Sequence, residues 1–453
     1  MFDSFRNALM LARQHGDLYF APLLSPQRIR EALGPASSLW QGWIYSPAIT
    51  VWVFLSQCLS PDHSCREAVA RLAAWRVAQG RKPCSSETGA YCTARDTLPE
   101  EACQRLVRAT AEELEAEAPD SWLWQGRRVR VVDGTTITMP DTEENQAEYP
   151  QPDTQKPGCG LPIARVLVIF SLAVGVVLEA AISKYAGKQT GENSLFRGLH
   201  DVLEPGDVVL ADRYFSGWFD LALLLARGVD VVVRKHQLRP TDFRAGWRLG
   251  PDDHRVIWFK PPRPPWMSAE QYAELPDMLV LREVRVRITQ RGFRTKSVVV
   301  VTSLLDAEEF SAAAIAELYR RRWQAELHLR SLKIVLQMDH LRCKTPHRVR
   351  NELYMHLLAY NLLRRVMALA ALHRDVPPWQ ISFKAALQTL ASFLPLLGTC
   401  MAIDAGCGAL LACIARHIVG DRPDRYEPRR VKRRPKNYKF FRMSRHDYKR
   451  RIA

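Results

Sequence analysis

The stretch Arg128-Val-Arg-Val-Val-Asp-Gly-Thr-Thr (residues 128–136) alternates polar and apolar side chains and then reaches a turn-forming Asp-Gly pair. This alternation predicts a strand over 129–132, with Asp133 at its end. The segments that follow predict four more strands and a helix: strands at 164–172, 175–185, 207–212 and 229–234, and a helix at 217–227. Three strands, a further strand, a helix and a strand predict an α/β core with a mixed sheet.

Helical patterns flank this core on both sides. The apolar spacing predicts a helical N-terminal domain over 1–120 and C-terminal helices over 346–420. We expect the N-terminal domain to bind DNA ends. The catalytic domain is expected over 121–345. Gly and Pro interrupt the pattern between about 236 and 305, where strands can be placed at 255–259, 282–290 and 295–303. We interpret that region as a mostly β insertion within the catalytic domain.

The net charge of this chain is more positive than that of an average globular protein. Its 453 residues carry 64 Lys or Arg and 48 Asp or Glu, a net charge of +16, which favours a polyanionic partner such as nucleic acid. Residues 421–453 hold 14 Lys or Arg against four Asp or Glu, or +10 of that total. Because five aromatic residues are interleaved there, we interpret this basic tail as a phosphate-contacting arm, with a solvated tail as the alternative.

Segments for export, membrane insertion or zinc binding are not expected. The N-terminus lacks a cationic segment followed by an apolar run, and the most apolar stretch, 396–419, contains Asp404, Arg416 and His417. The ten cysteines include no CxxC pair, so reduced thiols in the cytoplasm fit better than a zinc site or disulfides.

Two aspartates follow apolar runs directly and are candidates for chemistry. Asp133 follows residues 129–132, and Asp212 follows 208–211. Carboxylates at the ends of buried strands are costly unless a cation or a strong donor meets them, and two-metal phosphoryl transfer needs such a pair. An aspartate that caps a turn is the alternative at either position.

A predicted helix from Ser311 to Leu336 contains an acidic residue among polar and cationic neighbours. Tyr319, Arg322, Glu326 and Lys333 fall within about 60° of one another at roughly 100° per residue, with Arg330 beside them. Apolar residues form an adjacent stripe that would dock the helix on the sheet. Glu326 could supply a metal ligand with phosphate contacts beside it, although a solvated face with intrahelical ion pairs has the same pattern.

The spacing Tyr319-x2-Arg322-x3-Glu326-x6-Lys333 resembles the YREK signature of the IS-four family of DDE insertion-sequence transposases. The blocks around the two aspartates, Val131-Val-Asp-Gly-Thr and Val209-Leu-Ala-Asp-Arg-Tyr-Phe, resemble that family in the same order. So do His356-Leu-Leu-Ala-Tyr-Asn-Leu-Leu-Arg and Arg430-Val-Lys-Arg-Arg-Pro-Lys-Asn-Tyr. Together these blocks span most of the chain.

The resemblance implies a ribonuclease-H-like catalytic core with a β insertion before the glutamate helix. It implies that Asp133, Asp212 and Glu326 bind two Mg2+ ions, for which Mn2+ can substitute. The expected activity is cleavage of DNA at transposon ends, then strand transfer into target DNA, with a hairpin at the excised end.

The resemblance also implies DNA contacts and partners. Tyr319, Arg322 and Lys333 would hold phosphates, with Arg330 nearby, and Trp258 or Trp266 in the insertion would stack on a flipped base. The partners would be double-stranded DNA carrying terminal inverted repeats, target DNA, and a second copy of the chain when the ends are synapsed. Bacterial cytoplasm, at the nucleoid, is the expected location.

Two other functions are compatible with these residues. A ribonuclease-H-like nuclease without strand transfer would have the same active-site sequence. A transposase-derived DNA-binding protein without activity would not need to keep all three carboxylates.

Overall fold

The computed structural model of the chain describes residues 6–7, 10, 21, 23–40, 44–288, 297–397, 403–419 and 442–452. Its strands are β1 (Val129–Thr138), β2 (Ile163–Ser171), β3 (Val177–Lys184), β4 (Val208–Ala211), β5 (Asp230–Arg234), β6 (Trp247–Gly250), β7 (Asp253–Phe259), β8 (Met278–Arg287) and β9 (Ser297–Thr302). Within the described residues they form one mixed sheet in the order β3-β2-β1-β4-β5-β9-β8-β7-β6.

The described helices surround this sheet. They are α1 (Pro26–Leu33), α2 (Pro47–Leu59), α3 (Cys65–Ala78), α4 (Gly89–Asp96), α5 (Glu100–Ala116), α6 (Glu143–Glu148), α7 (Glu192–Arg197), α8 (Trp218–Ala226), α9 (Ala269–Glu274), α10 (Ala312–Arg321), α11 (Trp323–Arg330), α12 (Pro346–Arg374), α13 (Phe383–Leu397), α14 (Ile403–Arg416) and α15 (Arg445–Ile452). The long helix α12 is buried along most of its length and joins the N-terminal helices to the core. None of the helices in the described part of the chain is both long and apolar enough to span a membrane.

The first five strands form the mixed core that the alternating runs predict. β1, β2 and β3 make an antiparallel meander, and β4 and β5 run parallel to β1. A mixed α/β sheet flanked by helical regions is therefore confirmed. The predicted end of the first strand is wrong, because residues 133–138 continue to pair with β2 and place Asp133 inside β1.

The outer strands continue the same sheet. β9 pairs with β5, and β8, β7 and β6 follow in antiparallel order. β8 begins at Met278, earlier than the predicted strand at 282–290, because Met278 pairs with Phe259 at the end of β7. Such pairing between distant segments overrides the local sequence signal. The last residues of that predicted strand, and the first of the predicted strand at 295–303, lie outside the described residues.

The predicted single helix at 311–336 is wrong in detail. α10 ends at Arg321 and α11 begins at Trp323, with hydrogen bonds from Arg322 N to Tyr319 O (3.1 Å) and from Ala325 N to Arg322 O (3.0 Å). These bonds span three residues, so the turn at Arg322 is tighter than an α-helix. Residues Ser331–Val335 then form a π-helical turn. A wider turn adds an extra residue per turn, so Lys333 does not keep the angular position that a uniform helix predicts.

The predicted basic tail falls mainly on residues outside the described part of the chain, which resumes at Arg442. α15 lies in the described part, and its last turn carries Lys449, Arg450 and Arg451. The phosphate-contacting role of the tail stays a prediction, as does the division of the chain into domains.

Candidate active site

Asp133 lies in the middle of β1 and faces the helices α10 and α11. Its neighbours on the same side of the strand, Val131 and Ile137, pack in one apolar cluster with Ala325 and Leu329 of α11. Because side chains alternate along a strand, Asp133 points towards the same layer. Its Oδ1 accepts a hydrogen bond from the Gly134 N–H at 3.0 Å.

Asp212 is the first residue after β4. Val131 of β1 pairs with Leu210 of β4, so Asp133 and Asp212 each lie two residues further along neighbouring parallel strands. The Asp212 Oδ1 accepts from the Tyr214 N–H at 2.7 Å and caps the short 3-10 turn Arg213–Phe215. The capping role considered from the sequence is therefore real, and it does not remove Asp212 from the neighbourhood of Asp133.

Glu326 lies on α11 and forms an ion pair with Arg322, with 3.1 Å between Arg322 Nη2 and Glu326 Oε1. The Arg322 side chain is 18% exposed and that of Glu326 is 40% exposed. Burial alone would lower the pKa of Arg322, but Tyr319, Glu326 and Asp133 together raise it. Arg322 is thus held in its charged form between carboxylates that come from different elements.

Asp133, Asp212 and Glu326, which we call the acidic cluster, interact through their charges. The pKa of Asp133 is raised to about 6, chiefly by burial and in smaller part by repulsion from Asp212 and Glu326, while Arg322 and the Gly134 N–H oppose the rise. The three carboxylates that the sequence singles out therefore lie near enough for Asp212 and Glu326 to act on Asp133 through their charges. A cation bound among them would reverse the shift, because it stabilises the ionised forms.

The side chains as placed do not make a finished metal site. In the described part of the chain, no group of three or more His, Cys, Asp or Glu side chains lies close enough to hold a metal ion. The donors nevertheless fit hard divalent ions, which prefer carboxylate oxygens. The arginine between Asp133 and Glu326 provides the positive charge in this arrangement.

The remaining polar and cationic residues of the predicted helix face divide into two groups. Tyr319 is half-buried, forms a hydrogen bond with Arg322, and lies near Arg234 and Asp212. Arg330 is exposed and Lys333 half-buried, and neither side chain forms an ion pair with the acidic cluster in the described structure. The structure places Tyr319 in the site and leaves Arg330 and Lys333 at its margin.

Comparison with known proteins identifies the family. The family described as "Transposase DDE domain" matches residues 124–362, more than half of the chain and all three members of the acidic cluster. The chain belongs to this family of DDE transposases. It is 27% identical over 453 residues to the transposase InsG for insertion sequence element IS4 of Escherichia coli strain K12, covering 96% of this chain and 95% of that protein.

Two further comparisons found partial similarity. The putative transposase InsL for insertion sequence element IS186A of Escherichia coli strain K12 is 37% identical over 81 residues, which is 18% of this chain and 21% of that protein. Among solved structures, the piggyBac transposase synaptic complex with hairpin DNA matches at a TM-score of 0.40 and 12% identity. That match covers 88% of this chain and 85% of the other. The predicted relation to the insertion-sequence DDE transposases is confirmed by the family and by the IS4 relative.

Neither predicted stacking tryptophan of this DDE transposase has both ring faces free. Trp258 is 6% exposed, its Nε1 donates to Glu283 Oε1 at 3.3 Å, and the Arg239 guanidinium lies 3.9 Å from its ring centroid. Trp258 is therefore a core residue, which corrects its selection as a stacking candidate. The Arg197 guanidinium lies 3.6 Å from the ring centroid of the half-buried Trp266.

Two residues beside members of the candidate site were not selected from the sequence. Arg234 ends β5, and since Ala211 pairs with Val233, it lies beside Asp212 on the neighbouring strand. Trp323 is 51% exposed and directly follows Arg322. The sequence offered one signal for each. Arg234 is a basic residue at the end of a predicted strand, and Trp323 is an aromatic residue inside the signature.

The glycine after Asp133 has a structural reason. A Cβ at Gly134 would overlap the side chain of Glu192, the first residue of α7. The Glu192 carboxylate pairs with Arg165 of β2 at 3.6 Å, and the charge of Asp212 acts on it. Gly134 in the block Val131-Val-Asp-Gly-Thr thus admits a further acidic side chain beside the cluster.

A cleft of about 780 Å³ lies elsewhere, at the free edge of β3 near α5 and α12. It contains none of the predicted site residues. Its charged walls are matched by pairs such as Arg350 with Glu100 and Arg108 with Glu179. The chemistry points to the acidic cluster, which is a surface site, and not to this cleft.

Proposed function

We propose that this transposase is an active enzyme that cleaves DNA at the ends of a mobile element and joins those ends to target DNA. Asp133, Asp212 and Glu326 would be its catalytic carboxylates and its metal ligands. The observation that carries the proposal is the acidic cluster, in which carboxylates from β1, from the end of β4 and from α11 act on one another around one arginine. Like charges gathered in this way are unfavourable unless a cation completes them.

Two Mg2+ ions, with Mn2+ as a substitute, are the cofactors that fit this donor set. When bound, they would stabilise the charge on the attacking and leaving oxygens of an in-line phosphoryl transfer. Glu326 can offer its carboxylate fully only when Arg322 releases it, because the two now form an ion pair. The freed guanidinium could then take two phosphate oxygens in the bidentate geometry that arginine favours.

Other side chains around the cluster would position the DNA backbone. Tyr319 and Arg234 lie beside Asp212, and in the described structure the Arg234 side chain forms no ion pair with a carboxylate, which suits it to a phosphate. Lys333 and Arg330 lie further along the same segment and would contact phosphates outside the cluster. Phosphate contacts of this kind orient a duplex without reading its sequence.

Base stacking would accompany a hairpin intermediate. Trp323 fits this role by its exposure and its position next to Arg322, and Trp266 stays a second candidate on the insertion. An exposed aromatic ring offers a flat face to an unstacked base.

The fold and the partners follow from the same proposal. Three antiparallel strands followed by two strands parallel to the first support a ribonuclease-H-like core for residues 129–234. The net charge of +16 supports double-stranded DNA as the partner, with inverted repeats at the element's ends and a second copy of the chain at synapsis. A bacterial cytoplasmic location at the nucleoid belongs to the proposal as well.

A cleavage and joining assay tests this function. The full-length chain is incubated with Mg2+, a labelled duplex copied from the DNA that borders its gene, and a supercoiled target plasmid. We expect nicked or cut ends and a labelled plasmid product, both lost in Glu326→Gln and on chelation of the metal.

The possible failures point to different functions. Cleavage without a labelled plasmid would indicate a nuclease that does not transfer strands. Specific binding without any cleavage would indicate a DNA-binding protein derived from a transposase. Cleavage that persists in Glu326→Gln would contradict the assignment of the acidic cluster.

A further inference from the structure

Residues 356–364 lie on α12 and contact both supports of the acidic cluster. One support is the sheet, in which Asp133 of β1 pairs with Val168 of β2. The other support is α11, which carries Glu326. The residue that meets both of them is Tyr360, whose side chain is fully buried.

The Tyr360 hydroxyl forms two hydrogen bonds that join these supports. It lies 2.8 Å from the carbonyl oxygen of Gly175, in the turn between β2 and β3, and 3.0 Å from Nδ1 of His328 on α11. A tyrosine hydroxyl has a single proton, and a carbonyl oxygen can only accept. Tyr360 therefore donates to Gly175, and His328 Nδ1 carries the proton that it donates to Tyr360.

His328 is the polar residue on the buried side of α11, which it shares with Ala325 and Leu329. At roughly 100° per residue, His328 lies about 200° from Glu326, so one side chain points inwards while the other points outwards. Apolar packing is not directional, whereas a hydrogen bond is. The bond to Tyr360 therefore fixes the rotation of α11 about its own axis.

The short helix α11 has few other means of keeping this rotation. It has eight residues and lies between the tight turn at Arg322 and the π-helical turn Ser331–Val335. Both turns depart from the regular α-helical hydrogen-bond pattern. In the part of the chain that the structure describes, His328 Nε2 has no hydrogen-bond partner, so the ring is held through Nδ1.

The turn that receives the Tyr360 hydroxyl is itself fixed to α12. The Arg364 Nε donates to the backbone of this turn at 2.9 Å, and a Cβ at Gly175 would overlap the Arg364 guanidinium. Asn361 accepts from the Val177 N–H and donates to the Val177 carbonyl, each at 2.8 Å. The sheet side of the link is therefore rigid, and Tyr360 extends it to α11.

We propose that Tyr360 is a positioning residue of this transposase, whose hydroxyl holds α11 at the rotation that turns Glu326 towards Asp133. The inference rests on the proposed function, because it concerns a carboxylate that is proposed to bind metal. Groups that orient a metal ligand without touching the metal typically change metal affinity about 10–100-fold when they are replaced.

Tyr360→Phe removes the hydroxyl, and Tyr354→Phe is its matched control. Tyr354 lies earlier on α12 and is 2% exposed, and its hydroxyl donates to the Ala180 carbonyl at 3.1 Å. The same hydroxyl accepts from Gln104 Nε2 at 2.9 Å. The two tyrosines thus form the same kinds of bond at the same depth, but the partners of Tyr354 lie on β3 and α5. Both variants should lower the melting temperature by similar amounts.

Two measurements on the full-length chain separate positioning from general stability. Without metal, hydrogen exchange in α11 should become about 10-fold faster in Tyr360→Phe and stay close to that of the wild type in Tyr354→Phe. Titration with Mn2+ alone should show binding that is lost in Glu326→Gln. The dissociation constant of that binding should rise about 10–100-fold in Tyr360→Phe and stay near the wild-type value in Tyr354→Phe.

Substitution of His328 gives a second test. Asparagine carries its amide nitrogen on Cγ, as histidine carries Nδ1, so His328→Asn keeps a donor for Tyr360 and His328→Leu does not. Exchange in α11 and Mn2+ affinity should therefore be closer to the wild type in His328→Asn. Burial alone predicts the opposite order, because leucine suits an apolar surrounding better than an amide does.

The outcomes separate this inference from the proposed function. Equal changes in Tyr360→Phe and Tyr354→Phe would overturn the positioning role of Tyr360, as would unchanged exchange in α11 or unchanged Mn2+ affinity in Tyr360→Phe. Better retention of Mn2+ affinity by His328→Leu than by His328→Asn would do the same. A wild type that neither binds Mn2+ nor cuts DNA would contradict the proposed function, and hydrogen exchange would still decide whether Tyr360 holds α11.

Discussion

Buried charges are handled differently in the inserted strands and in the acidic cluster. In the insertion, Lys235 Nζ lies 2.7 Å from Glu283 Oε2, and both side chains are less than 5% exposed. Arg282 and Asp253 form a second buried pair, with the Arg282 Nε 2.8 Å from Asp253 Oδ1. Each buried carboxylate there has its own cation.

The acidic cluster lacks this one-to-one match. Arg322 pairs with Glu326, while Asp133 and Asp212 have no ion pair within the described structure. Burial of an unmatched carboxylate costs free energy, and a protein retains it where the charge has a use. Under the proposed function, the difference separates charges that stabilise the fold from charges kept for a metal ion and a phosphate.

The largest effect should come from neutralising the unmatched carboxylate. Asp133→Asn should lower DNA cleavage by roughly three orders of magnitude or more, because a proposed metal ligand is lost. Stability without metal should not fall, since the change removes a buried charge that its neighbours repel. Single-turnover cleavage and a thermal melt measure the two effects. Asp201→Asn, at a side chain that is 93% exposed, is the control. A clear loss of stability with normal cleavage would assign Asp133 to the fold and not to the chemistry.

Replacing a buried aspartate of the insertion by asparagine should instead lower stability and affect cleavage much less. Asp253→Asn leaves the buried Arg282 without its counter-ion, so unfolding free energy should fall by about 3–5 kcal/mol. Cleavage by the folded protein should change far less than in Asp133→Asn. The adjacent Asp252→Asn is a matched control, because Asp252 pairs with the exposed Arg285 and Arg287 and should cost no more than about 1 kcal/mol. Equal losses in urea unfolding for the two variants would show that burial is not the deciding factor.

Substitution of Arg322, the arginine inside the acidic cluster, should affect the cleavage rate much more than stability. Arg322→Ala should slow cleavage about 10²–10³-fold if the guanidinium holds a phosphate in the transition state. An exposed helical ion pair alone would cost about 0.3–0.5 kcal/mol of stability and little activity. Arg322→Lys should recover part of the rate, since it keeps the charge but not the two-pronged geometry. Arg320→Ala, on the exposed side of α10, is the control in single-turnover assays. A near-normal rate in Arg322→Ala would remove Arg322 from the site.

Local patterns were sufficient for the core strands and for placing the three carboxylates near one another, while the catalytic role of these carboxylates stays a prediction. Alternation in 128–136 and the apolar run before Asp212 predicted two strands, and their parallel pairing brings both aspartates to one place. Helical spacing placed Glu326 on a segment whose apolar side packs on that sheet. The placement of these elements could be predicted because each depends on residues close together in sequence.

Features that depend on pairing between distant segments could not be predicted in this way. Arg234 lies beside Asp212 only because β5 is next to β4 in the sheet. Trp258 was selected as a stacking residue, but the core of the insertion buries it against Glu283. The displaced position of Lys333 has another cause, the π-helical turn, which a constant angle per residue does not include.

The smallest effect concerns pH and tests the unmatched charge without any DNA. The pKa of Asp133 is raised by burial and by like charges to about 6 in the folded state, against 3.8 as the ordinary value. Between about pH 4 and 6 the folded state therefore holds more protons than the unfolded state, and stability falls as the pH rises. The contribution is present in full below pH 4 and is lost once the pH passes 6. Its size should be on the order of 1–3 kcal/mol.

Urea unfolding of the wild type and of Asp133→Asn at pH 4 to 7 isolates this contribution, because every other titrating group is common to both proteins. The stability of the wild type relative to the variant should decline across that range and then level off. Mg2+ should flatten the decline, since a bound cation lowers the pKa of the carboxyl. The stability difference between the wild type and Asp253→Asn, by contrast, should not depend on Mg2+, because Asp253 pairs with Arg282 outside the acidic cluster. Parallel profiles for the wild type and Asp133→Asn would mean that Arg322 already balances the acidic cluster, and the contrast between the two regions would then disappear.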